Sequence, residues 1–191
     1  MKNIVGLLVF IIAVAIFSIG CMFIGTYNSL QTLDENVNAK WAQVENQLKR
    51  RNDLIPNIVA TVKGYAKHEK EVFIAVTEAR SRLAGSIDKK DLKGIKKNGS
   101  DLSSALGRLI AVGENYPQLK ADQSFLSLQK ELAKTEDLLS NARQGYNESV
   151  KLLNTQIRVF PNCIVAWIIR LDQREYFEIT ESESALPVVK F

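Results

Sequence analysis

The run IVGLLVFIIAVAIFSIGCMFI, from Ile4 to Ile24, holds 21 residues without a charge. A helix needs roughly 20 apolar residues to cross the hydrocarbon core of a bilayer, so this stretch matches one span. A cleaved secretory signal is the rival reading, but its apolar region is about 7 to 15 residues long and ends at a small-x-small site, which this run lacks. A lipoprotein signal is a second rival, because Gly20 precedes Cys21. Against it, Ser18 stands where leucine is usual, and Met22, Phe23 and Ile24 carry the apolar run past the cysteine. Residues 1–25 are therefore read as an uncleaved anchor in contact with membrane lipid, and lipidation of Cys21 stays open. Lys2 and the terminal amine precede the span, whereas Asp34 and Glu35 are the first charges after it. That cation bias points to an amino terminus inside and a body outside the membrane.

The rest of the chain is written for helices. Only 4 prolines and 10 glycines occur in 191 residues, and 46% hydrophobic with 24% charged residues is a globular balance. Leu30, Leu33, Val37, Trp41, Val44 and Leu48 recur at steps of three and four, the stripe of one helix. Nothing between Ile24 and Leu30 stops a helix, so the span and this helix read as one rod. In QLKRRNDLIPNIV, Pro56 disfavours helical geometry at the residue before it and suits the first turn of a new helix. A corner is therefore predicted at Arg50–Asp53, with its charges wet or capping helix ends. A second helix then runs from Pro56 to Leu83, with Phe73, Val76 and Ala79 on its inner face.

Residues 85–99 carry three glycines and five lysines and read as a basic loop. Ser100 or Asp101 caps a short third helix with Leu102, Ala105, Leu106 and Leu109 on one face, ended by Gly113–Pro117. The last helix keeps a three-four alternation of apolar residues from Phe125 to Phe160, which demands partner helices along its length. The fold class is thus all-α: an antiparallel four-helix-type bundle of long helices over residues 26–160, behind a single N-terminal transmembrane helix. Residues 161–191 follow as an apolar segment and a polar tail. If the first helix rises about 40 Å from the bilayer to Arg51 and the second returns, loop 85–99 comes back to the headgroups. Its lysines would then each gain about 1 kcal/mol on anionic lipid, or else stay solvated. The last helix would bring CIVAWII, residues 163–169, either to the membrane interface, where tryptophan is favoured, or over the open end of the bundle.

Taken together, QLKRRNDLIPNIV, VKGYAKHE and LGRLIAVGENYPQLKA behind an apolar anchor resemble the LemA family of bacterial membrane-anchored helical proteins. The resemblance covers nearly the whole chain apart from residues 85–99 and the tail. It implies an antiparallel helical bundle behind one transmembrane helix, without an established biochemical activity or any catalytic residues. It also implies a place in the cell envelope, since members are often encoded beside TPM-domain proteins or an HtpX-type membrane metalloprotease. The departures are Cys21 before the junction and FPNCIVAWII, where small residues are more usual.

A search for chemistry returns little. His68 in KHEKEV opens like a metalloprotease helix, but Val72 occupies the position of the second zinc ligand, so a solvated helical histidine is the reading. Cys163 and His68 lie too far apart in the pattern to make a nucleophile and base. Asp34–Glu35 and Glu69–Glu71 do not converge on a helix and read as surface charge. Trp41, Tyr65, Phe73, Phe125, Tyr146 and Phe160 lie on the helical stripes and read as core. The formal charge of +4 is dispersed, and no phosphate-cradling loop is present, so neither nucleic acid nor a small-molecule substrate is expected. No catalytic, cofactor-binding or metal residues are assigned, and an enzyme is not expected. The expected function is a scaffold or adaptor with protein partners in the envelope; the alternatives are a lipid-surface module using 85–99 and 163–169, or a regulatory partner of a membrane protease.

Overall fold

The computed structural model describes residues 2–177, and in it helix α1 runs without a break from Lys2 to Tyr65. Pro56 lies inside that helix, so the corner predicted at Arg50–Asp53 does not exist. A proline has no N–H to give the carbonyl one turn earlier, and an unsatisfied buried carbonyl is costly. Here that carbonyl belongs to Asn52, and Arg80 Nε donates to it at 3.0 Å. The missing backbone bond is replaced from another helix, and α1 continues.

The reversal comes instead at Ala66–Glu69, followed by α2 (Lys70–Asp88), α3 (Leu92–Glu114), α4 (Pro117–Lys120), α5 (Gln123–Gln156) and α6 (Asn162–Ile169). Residues 85–99 are not a loop. Only Lys89–Asp91 turn, because Ile87, Ile95 and Gly99 are buried and continue the apolar stripes through the lysines. Asn98 Nδ2 then ties the pair, donating to the Arg82 carbonyl at 3.3 Å and to Ser86 Oγ at 2.8 Å. The turn closes with Lys90 left-handed at φ 52°, and Asp91 N donates to the Ser86 carbonyl at 3.0 Å. Glycine is the residue such a helix end prefers. Lys90 is exposed, so Lys90→Gly is expected to stabilise the protein by about 0.5–1 kcal/mol, seen as a higher urea midpoint at unchanged slope.

Helix α5 is capped by Asp122, whose Oδ1 accepts from Ser124 N at 2.7 Å and Phe125 N at 3.0 Å. It ends at Gln156, short of the expected Phe160; the residue before Pro161 is disfavoured in a helix, and Phe160 is exposed.

The described residues divide into two compact units. Trp41–Gly145 with Phe177 form a bundle in which Val44, Leu48, Ile58 and Val62 of α1 are buried, as are Val76 and Leu83 of α2, Leu102 and Leu109 of α3, and Leu139 of α5. Helices α1 and α5 are antiparallel, because Arg50 pairs with Glu131 while Tyr65 further along α1 meets Asp122 at the start of α5. Gly113 is required by close approach: a Cβ there would lie 2.6 Å from Cζ of the buried Phe125 ring. Phe177 closes this unit, with the Arg143 guanidinium 4.6 Å above its ring and Trp41 beside it.

The second unit holds the residues up to Lys40 and Tyr146–Tyr176. Leu30 and Val37 of α1, Val150, Leu153 and Ile157 of α5, and Val165 and Ala166 of α6 are its buried apolar residues. A strap after α6 is fixed by Asn154, which donates to the Arg174 carbonyl and accepts from Arg174 N, both at 2.9 Å. The Arg174 guanidinium grips Asp34 at 2.9–3.1 Å, and Tyr146 donates to the Glu175 carbonyl at 2.9 Å. The polar tail beyond Phe177 lies outside the described residues.

Candidate functional site

The charged motif of the sequence becomes a layer inside the bundle. Arg51 is 2% exposed, with Nε 2.6 Å from Glu136 Oε1 and an Nη donating to Ser103 Oγ at 2.8 Å. A guanidinium removed from water is tolerated only when paired and hydrogen-bonded, and α5 and α3 supply those partners. Next to it, Arg50 pairs with Glu131 of α5, and Arg80 of α2 holds the Asn52 carbonyl. The four long helices are thereby joined at one level. This corrects the expectation of a wet charge at Arg51; Arg50 stays 45% exposed beside Glu131, and Lys49 turns outward to Glu45 at 2.9 Å, a hydrogen bond that holds its ammonium above the ordinary lysine range.

Such a layer has little capacity for acid–base work, because a guanidinium keeps its proton at any ordinary pH. Its geometry suits the specification of which helices pair and in what register. Sequence pattern alone had no means of finding it, because Glu136 and Ser103 are ordinary surface residue types far along the chain.

The other residues singled out in the sequence do not converge. His68 is exposed in the turn between α1 and α2 rather than within a helix. Cys21 is exposed on the apolar span, and Cys163 is half-buried on α6. Asp34 is more than surface charge, since it receives Arg174 on two oxygens. Phe73, Phe125 and Tyr146 are core as expected, whereas Tyr65 and Phe160 are exposed. Tyr65 instead donates to Asp122 at 2.7 Å, which holds that carboxyl below its usual range and raises the phenol. Among the described residues no group of three or more His, Cys, Asp or Glu is placed to hold a metal.

Two apolar surfaces are uncovered. From Ile4 to Met22 every residue of α1 is exposed, and this helix is long and apolar enough to cross a membrane. Around α6, Phe160, Ile164, Trp167 and Ile168 face outward.

An all-α, membrane-associated protein with one candidate transmembrane helix and a helical bundle is the class these features define. The LemA family matches over residues 40–191, and the chain belongs to that family. Magnetosome proteins MamQ 1 and MamQ 2 of Paramagnetospirillum magneticum are each 27% identical over 175 residues, covering 80% of this chain and 64% of theirs. The chain thus spans just under two thirds of the length of these relatives. Protein LemA of Metamycoplasma hominis is 26% identical over 178 residues, covering 93% of this chain and 79% of its own. The family description and these names assign no reaction.

Proposed function

We propose that the chain is a non-enzymatic scaffold of the cell envelope, held by the α1 span and binding protein partners through its bundle. The observation that carries this reading is the continuity of α1: one helix supplies the apolar span and also the buried face of the bundle, including Arg51. The cation bias at Lys2 supports an amino terminus in the cytoplasm and a body outside.

Photo-crosslinkers at Ile74 and Leu126, which are 57% and 42% exposed on the bundle, test the proposal in intact cells. Discrete protein adducts, formed also by membrane-impermeant reagents at neighbouring lysines, are the expected result. Adducts to lipid alone, or none, would overturn it. A membrane protease among the adducts would specify the regulatory version of the same reading.

A further inference from the structure

The unit containing the apolar span also contains α6, and two observations set their heights within it. Asp34 and Asn154 both hold Arg174, so α1 at Asp34 is level with α5 at Asn154. Beyond Asn154 the antiparallel α5 continues toward the amino-terminal end of α1. Phe23 is half-buried, whereas Phe10 and Phe17 of the same span are 67% and 73% exposed. Phe23, Thr26, Leu30 and Val37 lie on one face of α1, and burial on that face rises from half-buried at Phe23 and Thr26 to 1% exposed at Leu30 and 2% at Val37. Tyr146–Tyr176 is the segment that shares this unit with the first 40 residues, so its lower end lies toward the last turns of the span.

That lower end is apolar on its outer side. No residue between Arg158 and Arg170 carries a charge. Ile164, Trp167 and Ile168 share one face of α6 at 50%, 81% and 51% exposure, while Val165 and Ala166 pack inward. A contiguous exposed patch of this kind marks an interaction surface. Eight residues are too few to cross a bilayer, which needs roughly 20, but they can lie in its interface beside the span. Tryptophan is enriched at that depth, and arginines at either end reach the headgroups while their stems stay apolar.

We propose that residues 159–169 form a second membrane contact, an interfacial helix lying against the acyl–headgroup boundary next to the α1 span, with Arg158 and Arg170 directed to lipid phosphates. The inference rests on the anchored reading, and its test separates the two. Full-length protein is reconstituted in phosphatidylcholine–phosphatidylglycerol vesicles, and the emission of Trp167 is taken as the difference between the native chain and Trp167→Phe, leaving Trp41 in place. Bromine near the carbonyl end of the acyl chains is expected to quench Trp167, as for insertion by about 5–10 Å, and iodide is expected to lose access to it. A Phe17→Trp variant reports the span through bromine deep in the acyl chains. If that variant is quenched while Trp167 remains open to iodide, the interfacial helix is overturned and the anchor stands. Shielding of Trp167 without quenching by bromine means that protein covers it, which also overturns the proposal. Absence of quenching at both positions removes the anchor and the interfacial helix together.

Discussion

Glu136→Ala is expected to destabilise the fold by about 3 kcal/mol, whereas Arg51→Met is expected to cost about 1 kcal/mol or less. The two substitutions break the same 2.6 Å ion pair, yet they leave different orphans. Without Glu136, a guanidinium that is 2% exposed keeps its charge and loses the carboxylate 2.6 Å from its Nε. Without Arg51, the carboxylate side chain that remains is 40% exposed and takes up water. Ser103 is not stranded either, because its hydroxyl also donates to the Gly99 carbonyl at 3.0 Å. Methionine fills most of the arginine stem's volume, so no large cavity is added. Urea unfolding of the two variants measures the asymmetry; equal losses would show that the pair itself, rather than the buried cation, governs the layer.

The second large effect is a coupling between Arg80 and Pro56. Arg80→Met leaves the Asn52 carbonyl with neither the helix's own N–H nor the guanidinium, at an expected cost of about 1–3 kcal/mol. In a Pro56→Ala background the alanine N–H reaches that carbonyl, and the same substitution at Arg80 is expected to cost about 1 kcal/mol less. A double-mutant cycle reads the coupling directly. Additive losses would mean that Arg80 supports α2 for another reason and that α1 tolerates its proline unaided.

These two sites also show where sequence reasoning succeeds and stops. The span from Ile4 to Ile24 and the stripe through Val37, Val44 and Leu48 are local patterns, each legible within a few turns of chain. The family resemblance rested on similarly local strings and is found. Pro56 was misread because the donor that permits it stands 28 residues beyond Asn52, on another helix. The wet reading of Arg51 failed for the same reason, since Ser103 is 52 residues away. Residues 85–99 misled differently: lysine and glycine counts outweighed Ile87 and Ile95, two residues whose burial requires a facing helix. In each case the deciding free energy belongs to a tertiary partner. Local propensity is a weak prior against such terms.

The grip of Arg174 on Asp34 joins residues 140 positions apart, with Asn154 and Tyr146 held by the same short strap. Helices α2 and α3 lie next to one another in the chain and need little loop closure to meet. The strap, by contrast, closes only when nearly all of the chain has been made, and contacts so distant in sequence form late. A protein that enters the membrane by its first residues therefore completes the neighbourhood of its anchor last. Until synthesis reaches Arg174, its tie to Asp34 cannot form, so a nascent or truncated chain lacks this long-range hold on the stretch of α1 just beyond its span.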